Sequence, residues 1–520
     1  MTTALTIVDS LEQGATWYPD REALIQGEQG DRRSVTYREV DEVTRQFAIG
    51  LGSLGVEKGD RIAMLNRSTV EHTIAFLGAL RAGAIPATLH FRESDAAIRA
   101  MVEKITPRAL VFQPQLEATA THIRERCETV ETYIALDQLG EPPAYATTFT
   151  AVTASNDSSA TLPSIDRDDS AFINFSSGTT GTPKPVVHTH GNVVESGHLG
   201  MFKKGIRPTT RTLKTNTPSF IAWANATFPV LTAGASIVYL ERSEPAEILT
   251  AISAEAVTSV VLVPTVWKRI LAEDLDSYDL SSVELAGYAG EPLEPALFAS
   301  IRDAITPNVC TMYGTTETMS SSMVLFPADV TNGTLDSIGY PVPNTEVRLV
   351  EPGTRDPANE VEPGETGEIL IRGPSVAEEI WNDPVSTRET FHEDGWVFTG
   401  DLAHVGDETL LYLNGRQDNM IVSGGINVYP ETVREAIASH PRIEDVALIG
   451  VSHREWGQTL KAIVVPSDET LTEGELETIC RTLPALSEYQ RPRQFEFVTE
   501  LPRTGTNKID YAALKACYGD

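Results

Sequence analysis

Residues 175–184 read Phe175-Ser176-Ser177-Gly178-Thr179-Thr180-Gly181-Thr182-Pro183-Lys184, and Phe175 is the last residue of the apolar segment 171–175. Glycines let a backbone approach an anion, and successive N–H groups with Ser and Thr hydroxyls can surround phosphate oxygens. A Walker A loop requires Ser or Thr after its lysine, whereas here Pro185 follows Lys184. On its own, the segment predicts a phosphate-binding loop no more strongly than it predicts a flexible turn.

Short apolar runs and helical patterns alternate on both sides of this segment. The pattern predicts strands at 61–65, 109–112, 236–240 and 259–263 and a helix at 71–82. Residues 137–170 are rich in Pro, Ser, Thr and Asp, which indicates a surface connection. Alternating strands and helices favour a layered α/β architecture.

The composition changes after about residue 350, where Gly, Pro and Glu turns suggest a small β-rich region. Beyond Arg416 the patterns predict a compact unit with helices at 431–439 and 473–482 and strands at 446–451 and 461–465. About 100 residues suffice for a small α+β domain. We therefore predict two domains, at 1–415 and 416–520.

Further motifs follow the Ser/Gly-rich segment in a fixed order. They are Ala289-Gly290-Glu291-Pro292, Tyr313-Gly314-Thr315-Thr316-Glu317-Thr318, residues 364–368 (GETGE), 395–401 (GWVFTGD), 415–418 (GRQD), 423–427 (SGGIN) and 502–508 (PRTGTNK). Together with residues 175–184 they resemble the signature of the adenylate-forming superfamily of acyl-CoA synthetases and AMP-binding enzymes. The resemblance covers nearly the whole chain and is closest to the acetyl and medium-chain acyl-CoA synthetase branch.

This resemblance implies a large, multi-subdomain N-terminal α/β domain and a small, mobile C-terminal α+β domain. It also implies a two-step reaction. A carboxylate attacks the α-phosphorus of MgATP to give acyl-AMP and pyrophosphate, and coenzyme A then takes the acyl group and releases AMP. ATP, Mg²⁺, coenzyme A and a small carboxylic acid are the implied partners.

The resemblance also assigns roles residue by residue. The expected catalytic residues are Lys508, Thr316 and Glu317, and Glu317 and Thr180 are the expected Mg²⁺ ligands. The expected ATP-binding residues are Ser176, Ser177, Gly178, Thr179, Thr180, Gly181, Thr182, Lys184, Gly290, Glu291, Pro292, Tyr313, Gly314, Thr315, Thr316, Asp401 and Arg416. In this assignment Tyr313 stacks on adenine and Asp401 binds the ribose. Asp418 is the expected hinge, and Ser423, Gly424 and Gly425 line the coenzyme A tunnel. Pro185 and Asn507 stand where the family usually has glycine.

The acyl pocket is expected to involve Phe220, Ile221, Trp223, Tyr288, Met312 and Gly314. Amino-acid-activating relatives carry an Asp where Ile221 stands, and an apolar residue cannot pair an ammonium group. Acetate-specific relatives place a Trp where Gly314 stands, so we expect room for a medium-chain fatty, branched or aromatic acid. A helix is predicted over 221–234, which puts Trp223 and Thr227 on one face.

Two other functions stay open at this point. The acyl-adenylate could pass to a carrier-protein thiol instead of coenzyme A, or the chain could be a non-catalytic sensor of nucleotide or acyl groups. A sensor is expected to lack Glu317, Asp401 or Lys508, and all three are present.

The chain has 41 basic and 73 acidic residues and a net charge of −32. This charge argues against binding nucleic acid or an anionic membrane surface. Only 10 of the basic residues are lysines, which is typical of proteins from a high-salt cytoplasm. No segment has a signal-peptide pattern or the ~20 apolar residues of a membrane span, so a cytoplasmic protein is expected. The four widely spaced cysteines are expected to be reduced and buried. The oligomeric state stays open, with a homodimer as one option.

Overall fold

The computed structural model describes residues 5–27, 32–154, 160–176, 183–240, 243–290, 293–331, 333–406, 409–423, 426–453, 457–468, 470–483, 486–487, 490–504 and 509–519, with the backbone alone at 422, 423, 426 and 427. The chain divides into two compact units. The first comprises Met1–Val347 and Ile371–Phe398, and the second comprises Arg348–Leu370 and Thr399–Asp520. The sequence-based boundary at 415/416 stays a prediction.

The first unit alternates strands and helices. Its helices are α1 Ile7–Trp17, α2 Tyr37–Ser53, α3 Val70–Arg81, α4 Asp95–Ile105, α5 Glu117–Arg126, α6 Phe149–Thr153, α7 His190–Lys204, α8 Ile221–Thr232, α9 Pro245–Glu255, α10 Pro264–Ile270, α11 Pro295–Ala304 and α12 Pro384–Thr390. Its strands are β1 Glu22–Gln26, β2 Arg33–Thr36, β3 Arg61–Leu65, β4 Ile85–Thr88, β5 Ala109–Phe112, β6 Thr132–Ala135, β7 Thr147–Thr148, β8 Ser170–Ser176, β9 Lys184–Thr189, β10 Arg211–Lys214, β11 Ser236–Tyr239, β12 Ser259–Leu262, β13 Leu285–Tyr288, β14 Val309–Tyr313, β15 Met323–Leu325, β16 Ser337–Pro341 and β19 Glu379–Ile380. Three further strands cross the boundary between the units: β17 Glu346–Val350, β18 Gly367–Arg372 and β20 Val397–Val405.

Two sheets organise the first unit. One runs in the order β19-β9-β8-β4-β3-β5-β6-β7, and the other includes the run β16-β15-β14-β13-β12-β10-β11-β1-β2. The pairs β3–β4, β3–β5 and β4–β8 are parallel in the first sheet, as are β10–β11, β12–β13 and β13–β14 in the second. Antiparallel partners such as β9 and β15 lie toward one end of each run.

Helices lie between these sheets. Every residue of α3 is buried, as expected for a helix that is apolar on all sides. One hydrophobic cluster joins Phe76 of α3 and Trp223 of α8 to Phe172 of one sheet and Ile237 of the other. Helices α7 and α8 approach closely because Gly200 has no side chain: a Cβ there would lie 2.3 Å from Pro229 Cγ.

The second unit contains the remaining elements, which are β21 Leu411–Arg416, β22 Ile421–Ser423, β23 Ile426–Val428, α13 Pro430–Ala438, β24 Ile443–His453, β25 Gly457–Pro466, α14 Glu473–Thr482, β26 Gln494–Phe497 and α15 Tyr511–Tyr518. Strands β23, β22, β25 and β24 form a sheet in that order, with β26 paired to β25. Alternate residues of β24 face opposite sides. Val446 and Leu448 share a cluster with α13 and α14, while Ile449 and Val451 share one with Leu514 of α15.

The structure corrects two sequence-based expectations. Residues 137–170 are not only a connection, because they include β7 and the short helix α6, whose Phe149 is buried beside Phe47. Cys517 is exposed, whereas Cys127, Cys310 and Cys480 are buried as expected, and all four are free thiols. Among the described residues, no helix combines the length and apolar character needed to cross a membrane.

Candidate functional site

Three neighbouring parallel strands of the larger sheet end at the same edge. Leu262 of β12 is in register with Tyr288 of β13, which is in register with Thr311 of β14. The loops that follow therefore emerge side by side, and in open α/β sheets ligands bind in the crevice beyond the carboxyl ends of the strands. Gly290, in the loop after β13, has a φ of 91°, and a Cβ there would lie 4.0 Å from a Val263 methyl group.

The loop after β14 carries the candidate catalytic residues. Gly314 leads into a single 3₁₀ turn at Thr316–Thr318, in which the Thr315 N–H donates to Thr318 Oγ1 at 2.9 Å. The Glu317 carbonyl accepts from the Ala377 N–H at 2.7 Å, which fixes the backbone. Among the described residues, the Glu317 carboxylate forms no ion pair, and it is half-buried. This carboxylate can therefore receive a cation.

The Ser/Gly-rich segment connects an antiparallel hairpin. Ser176 at the end of β8 pairs with Lys184 at the start of β9, and Phe175 pairs with Pro185. Pro185 thus lies within strand β9. The N–H group that proline lacks is therefore absent from the β8–β9 ladder. The 3₁₀ turn Thr316–Thr318 contacts β8. The structure thereby brings the strand that enters the predicted phosphate loop against the predicted catalytic turn.

Several predicted site residues lie outside the described part of the chain. They are Ser177, Gly178, Thr179, Thr180, Gly181, Thr182, Glu291, Pro292, Gly424, Gly425 and Lys508, and Ser423 is described by its backbone alone. Their assigned roles stay predictions. Within the described residues, no group of three or more His, Cys, Asp or Glu side chains is arranged to hold a metal ion.

Two of the candidate acyl-pocket residues differ in their surroundings. Phe220, which precedes α8, meets the His90 ring edge-on at 5.1 Å; His90 follows β4 of the other sheet, so this contact joins the two sheets. Trp223 is 1% exposed, and its indole N–H donates to Ser68 Oγ at 3.1 Å. Its ring contacts Phe76 at 5.2 Å and belongs to the main core cluster.

The remaining acyl candidates are also well packed. Ile221 is 8% exposed, and Tyr288 is 1% exposed with its hydroxyl donating to the Leu335 carbonyl. Met312 packs against the cluster of Leu199, Val324 and Val342. At Gly314 a Cβ would lie 2.6 Å from the Ser320 backbone. The space expected from the missing side chain at Gly314 is therefore occupied at that point by the backbone of residues 320–321.

Asp401 and Arg416 belong to the second unit. Gly400, with a φ of 70°, precedes Asp401 in β20, and Arg416 ends β21. The Gly400 N–H donates to Glu368, whose pKa is raised by burial, with the Asp418 and Asp401 charges adding to the effect. Burial likewise raises the pKa of Glu431, which accepts from Asn419.

Asp418 lies in a 3₁₀ turn between β21 and β22, at Gln417–Asn419. With Tyr511 and Lys515 it lines a cavity of about 140 Å³. Ligand pockets for drug-sized molecules usually measure about 300–1,000 Å³, so this cavity is too small to hold a nucleotide.

The structure contains a buried polar cluster that the sequence analysis did not predict. Lys203 and Lys204 end α7, and Asn225 lies in α8; Lys203 is 2% exposed and Asn225 is 6% exposed. Outside this cluster, Lys214 at the end of β10 is also fully buried, and it donates to the Trp223 carbonyl and to Thr227 Oγ1. The sequence contained one sign of this cluster. Lysine is scarce in the chain, yet three of its ten lysines occur within twelve residues.

Comparison with protein-family models places two matches on this chain. The model described as "AMP-binding enzyme" matches residues 11–381, and the model described as "AMP-binding enzyme C-terminal domain" matches residues 433–508.

Similar proteins align over nearly the whole chain. A feruloyl-CoA synthase of Amycolatopsis sp is 31% identical, with 94% of each chain covered. A long-chain-fatty-acid–CoA ligase of Escherichia coli O157:H7 is 28% identical, covering 97% of this chain and 93% of the relative. The o-succinylbenzoate CoA synthetase of Bacillus subtilis was solved with its acyl-adenylate intermediate and with ATP and a magnesium ion. Its structures are 26% identical, with TM-scores of 0.84 and 0.85, and cover 97% of this chain and 97% and 99% of theirs.

Proposed function

Because the chain belongs to the AMP-binding enzyme family, we propose that it is an AMP-forming acyl-CoA synthetase, an acid–thiol ligase that converts a carboxylic acid, ATP and coenzyme A into acyl-CoA, AMP and pyrophosphate. The acid is a medium-chain fatty, branched or aromatic one. Relatives named feruloyl-CoA synthase and long-chain-fatty-acid–CoA ligase support an aromatic or fatty acid, and the finer range is part of the proposal.

One observation carries the proposal. The turn at Thr316–Thr318 contacts β8, the strand that leads into the Ser/Gly-rich loop, and lies at the carboxyl edge of the larger sheet. The strand that leads into the predicted phosphate-binding segment and a carboxylate without an ion pair among the described residues are thus neighbours. This arrangement suits a nucleoside triphosphate bound with a divalent cation.

In the first half-reaction, a carboxylate oxygen of the acid attacks the α-phosphorus, and the bond to the pyrophosphate oxygen breaks. Glu317 and Thr180 would hold Mg²⁺, which would neutralise part of the negative charge of the phosphates. Thr316 donates to the α-phosphate, and Tyr313 stacks on adenine. Lys508 reaches the carboxylate of the acid and the α-phosphate. Its positive charge offsets the negative charge that develops in the transition state.

The second half-reaction transfers the acyl group. The coenzyme A sulfur attacks the carbonyl carbon, and the bond to the AMP oxygen breaks. Asp401 and Arg416 serve the ribose and phosphates, and Asp418 is the hinge for a mobile domain at 416–520. Ser423, Gly424 and Gly425 leave room for the pantetheine arm. No side-chain nucleophile is needed, so rate enhancement comes from positioning and electrostatics.

The acyl group contacts an apolar surface near α8. Ile221 offers no charge for an amino group, and Phe220 is half-buried beside His90. Trp223 and Tyr288 are the walls whose size sets the length of the chain that fits. A buried apolar surface of this kind binds hydrocarbon and excludes an amino acid.

The enzyme works in a cytoplasm with a high salt concentration. The net charge of −32 and the presence of only 10 lysines among the 41 basic residues support this proposal. Abundant carboxylates keep a surface hydrated when salt screens ordinary repulsion.

The test is an assay of the purified chain at molar KCl with ATP, Mg²⁺, coenzyme A and a panel of carboxylic acids. We expect pyrophosphate release and a thioester of the expected mass with at least one acid, and neither product from a Glu317→Gln variant. Formation of acyl-AMP without any thioester would indicate that the acyl acceptor is a carrier-protein thiol and not coenzyme A. Absence of pyrophosphate with every acid would overturn the proposal in favour of a sensor.

A further inference from the structure

The backbone just after the candidate catalytic turn adopts an unfavourable conformation. Met319 and Ser320 have φ angles of 55° and 49°, so two consecutive non-glycine residues occupy the left-handed region. Such residues persist only where the surroundings over-determine them, and they concentrate at functional sites. The Met319 N–H donates to the Thr316 carbonyl, and the Ser320 N–H donates to the Thr315 carbonyl. The strained pair is therefore hydrogen-bonded directly to the catalytic turn.

Side chains from two helices hold this strained pair from the other side. Asn225 Nδ2 donates to the Met319 carbonyl at 2.9 Å and to Ser321 Oγ at 2.7 Å. Lys203 Nζ donates to the Ser320 carbonyl at 3.0 Å. The carbonyl of each left-handed residue thus receives a donor from α7 or α8.

The donors are themselves fixed. Lys204 Nζ donates to the carbonyl and to Oδ1 of Asn225, both at 2.9 Å, so the amide can present only its Nδ2 to the turn. The hydroxyls of Ser196 and Ser321 lie 2.8 Å apart within the same cluster. Lys203 and Lys204 occupy the last turn of α7, where the helix dipole favours cations.

The cluster is costly as a purely structural element. Lys203 forms no ion pair with any described residue, and burial and the neighbouring Lys204 lower its pKa. A buried polar network is tolerated when all its groups are bonded, but an apolar contact would fill the same volume without desolvating a lysine. Two of its bonds, from Asn225 and Lys203, end on the carbonyls of Met319 and Ser320, the residues that directly follow the catalytic turn.

We propose that Lys203 and Asn225 are positioning residues for adenylation, because they hold the left-handed Met319–Ser320 pair and so fix where Thr316 and Glu317 stand. Neither side chain touches substrate; both act through the backbone. The inference rests on the proposed function and names a determinant of its first half-reaction. It predicts that loss of either donor loosens the placement of the magnesium and phosphate groups without affecting the thioester step.

The test compares the two half-reactions in two variants that each lose one donor. Lys203→Met keeps the length of the side chain without its donor. Asn225→Asp keeps the amide's shape, removes the N–H groups, and retains an acceptor for Lys204. Both should raise the KM for MgATP and the Mg²⁺ concentration for half-maximal pyrophosphate release by roughly tenfold or more, because small misplacements at a reacting centre are expensive. Thioester formation from synthetic acyl-AMP should stay within about twofold.

Lys214→Met is the matched control, because Lys214 is an equally buried lysine of the first unit whose bonds go to Trp223 and Thr227. It should leave the Mg²⁺ requirement unchanged, even if it lowers the melting temperature. Ser320→Gly should partly rescue Lys203→Met, since glycine adopts positive φ without cost.

Three outcomes would overturn the inference: equal losses in both half-reactions, the same Mg²⁺ shift in Lys214→Met, or an unchanged Mg²⁺ requirement in folded Asn225→Asp. Should Lys203→Met fail to fold, Asn225→Asp alone decides the question. A wild-type chain that releases no pyrophosphate would instead refute the proposed function.

Discussion

Asp401 and Arg416 stand opposite each other on the antiparallel strands β20 and β21, and Arg416 Nη1 donates to Asp401 Oδ1 at 2.7 Å. The two residues that the sequence assigns to the nucleotide are thus partners within one unit. The Arg416 side chain is 43% exposed and that of Asp401 is 13% exposed, so the carboxylate is held in place by a cation that solvent can still reach.

Arg416→Gln should cost little stability but much activity. Exposed ion pairs contribute about 0–1 kcal/mol, so the free energy of unfolding should fall by no more than that. The KM for ATP should rise by roughly tenfold or more, because the guanidinium is proposed to bind the nucleotide. Arg442→Gln, which breaks the pair with Asp468 in the same unit, is the control and should leave the KM unchanged. A lower free energy of unfolding with an unchanged KM for ATP would show that the pair of Arg416 and Asp401 has only a structural role.

Lys508→Ala should lower the rate of adenylation by several orders of magnitude, because it removes a group used in the transition state. Conversion of synthetic acyl-AMP to thioester should be largely retained. Lys268→Ala, at an exposed position of α10, is the control for loss of a lysine as such. Equal loss of both half-reactions on removal of Lys508 would contradict its assignment to the first one.

Substitution of Trp223 should alter the preferred acid. Trp223→Ala leaves a cavity in the core and should lower the free energy of unfolding by about 3–5 kcal/mol. The smaller change Trp223→Phe is therefore the informative variant. If the acyl group lies against this ring, the preferred acid should become longer, with about 0.8 kcal/mol, or roughly fourfold in kcat/KM, for each added buried methylene. The KM for ATP should not change. A folded Trp223→Phe variant with an unaltered chain-length profile would place the wall elsewhere, at Tyr288 or Met312.

His72 should make the protein less stable in acid. Its ring packs against both Trp223 and Phe76 and has no hydrogen-bond partner among the described residues. Burial lowers its pKa from 6.5 to about 3, and the Lys214 charge acts in the same direction. Between these pH values the unfolded chain binds a proton that the folded chain excludes. The free energy of unfolding therefore falls as the pH drops from 6.5 toward 3.

His72→Phe should reduce this dependence by up to about 1.4 kcal/mol per pH unit, while the aromatic packing is kept. Urea unfolding of both proteins across this pH range measures the difference. Parallel curves for wild type and variant would show that His72 does not contribute to the acid response.

Activity and melting temperature should both rise toward molar KCl. At 0.01 M salt the Debye length is about 30 Å, so the 73 acidic residues repel one another across the molecule. Differential scanning calorimetry and pyrophosphate release across a KCl series measure both quantities. A melting temperature indifferent to salt would refute the high-salt proposal and leave the enzymatic one intact.

The sequence predicted the regular elements well where the local signals were strong. Strands at 61–65 and 109–112 and the helix at 473–482 match the structure residue for residue. For α14 the reason is local, because Thr472 and Glu475 form a capping box that marks its start. The strand predicted at 446–451 is longer, at Ile443–His453, because pairing with β25 extends it beyond its apolar centre.

The candidate site was only partly predictable. Residues in the motifs after β13 and β14 were identified, and the structure places their loops at one edge of the sheet. Lys203 and Asn225 were missed, because the clustering of lysines does not show which groups a lysine at a helix end or an asparagine within a helix will contact. Cys517 was expected to be buried, but it lies in the last turn of a short helix with one buried face.

The sequence by itself determined the family, the order of the motifs and the residue types available for chemistry, because these depend on spacing along the chain. Only the tertiary structure decided which of them meet. Asn225 and Met319 are 94 positions apart, and Asp401 and Arg416 are 15 apart, yet each pair is within hydrogen-bonding distance. Such contacts follow from how sheets and helices pack, and the left-handed backbone at Met319 and Ser320 is stable only because that packing supplies its donors.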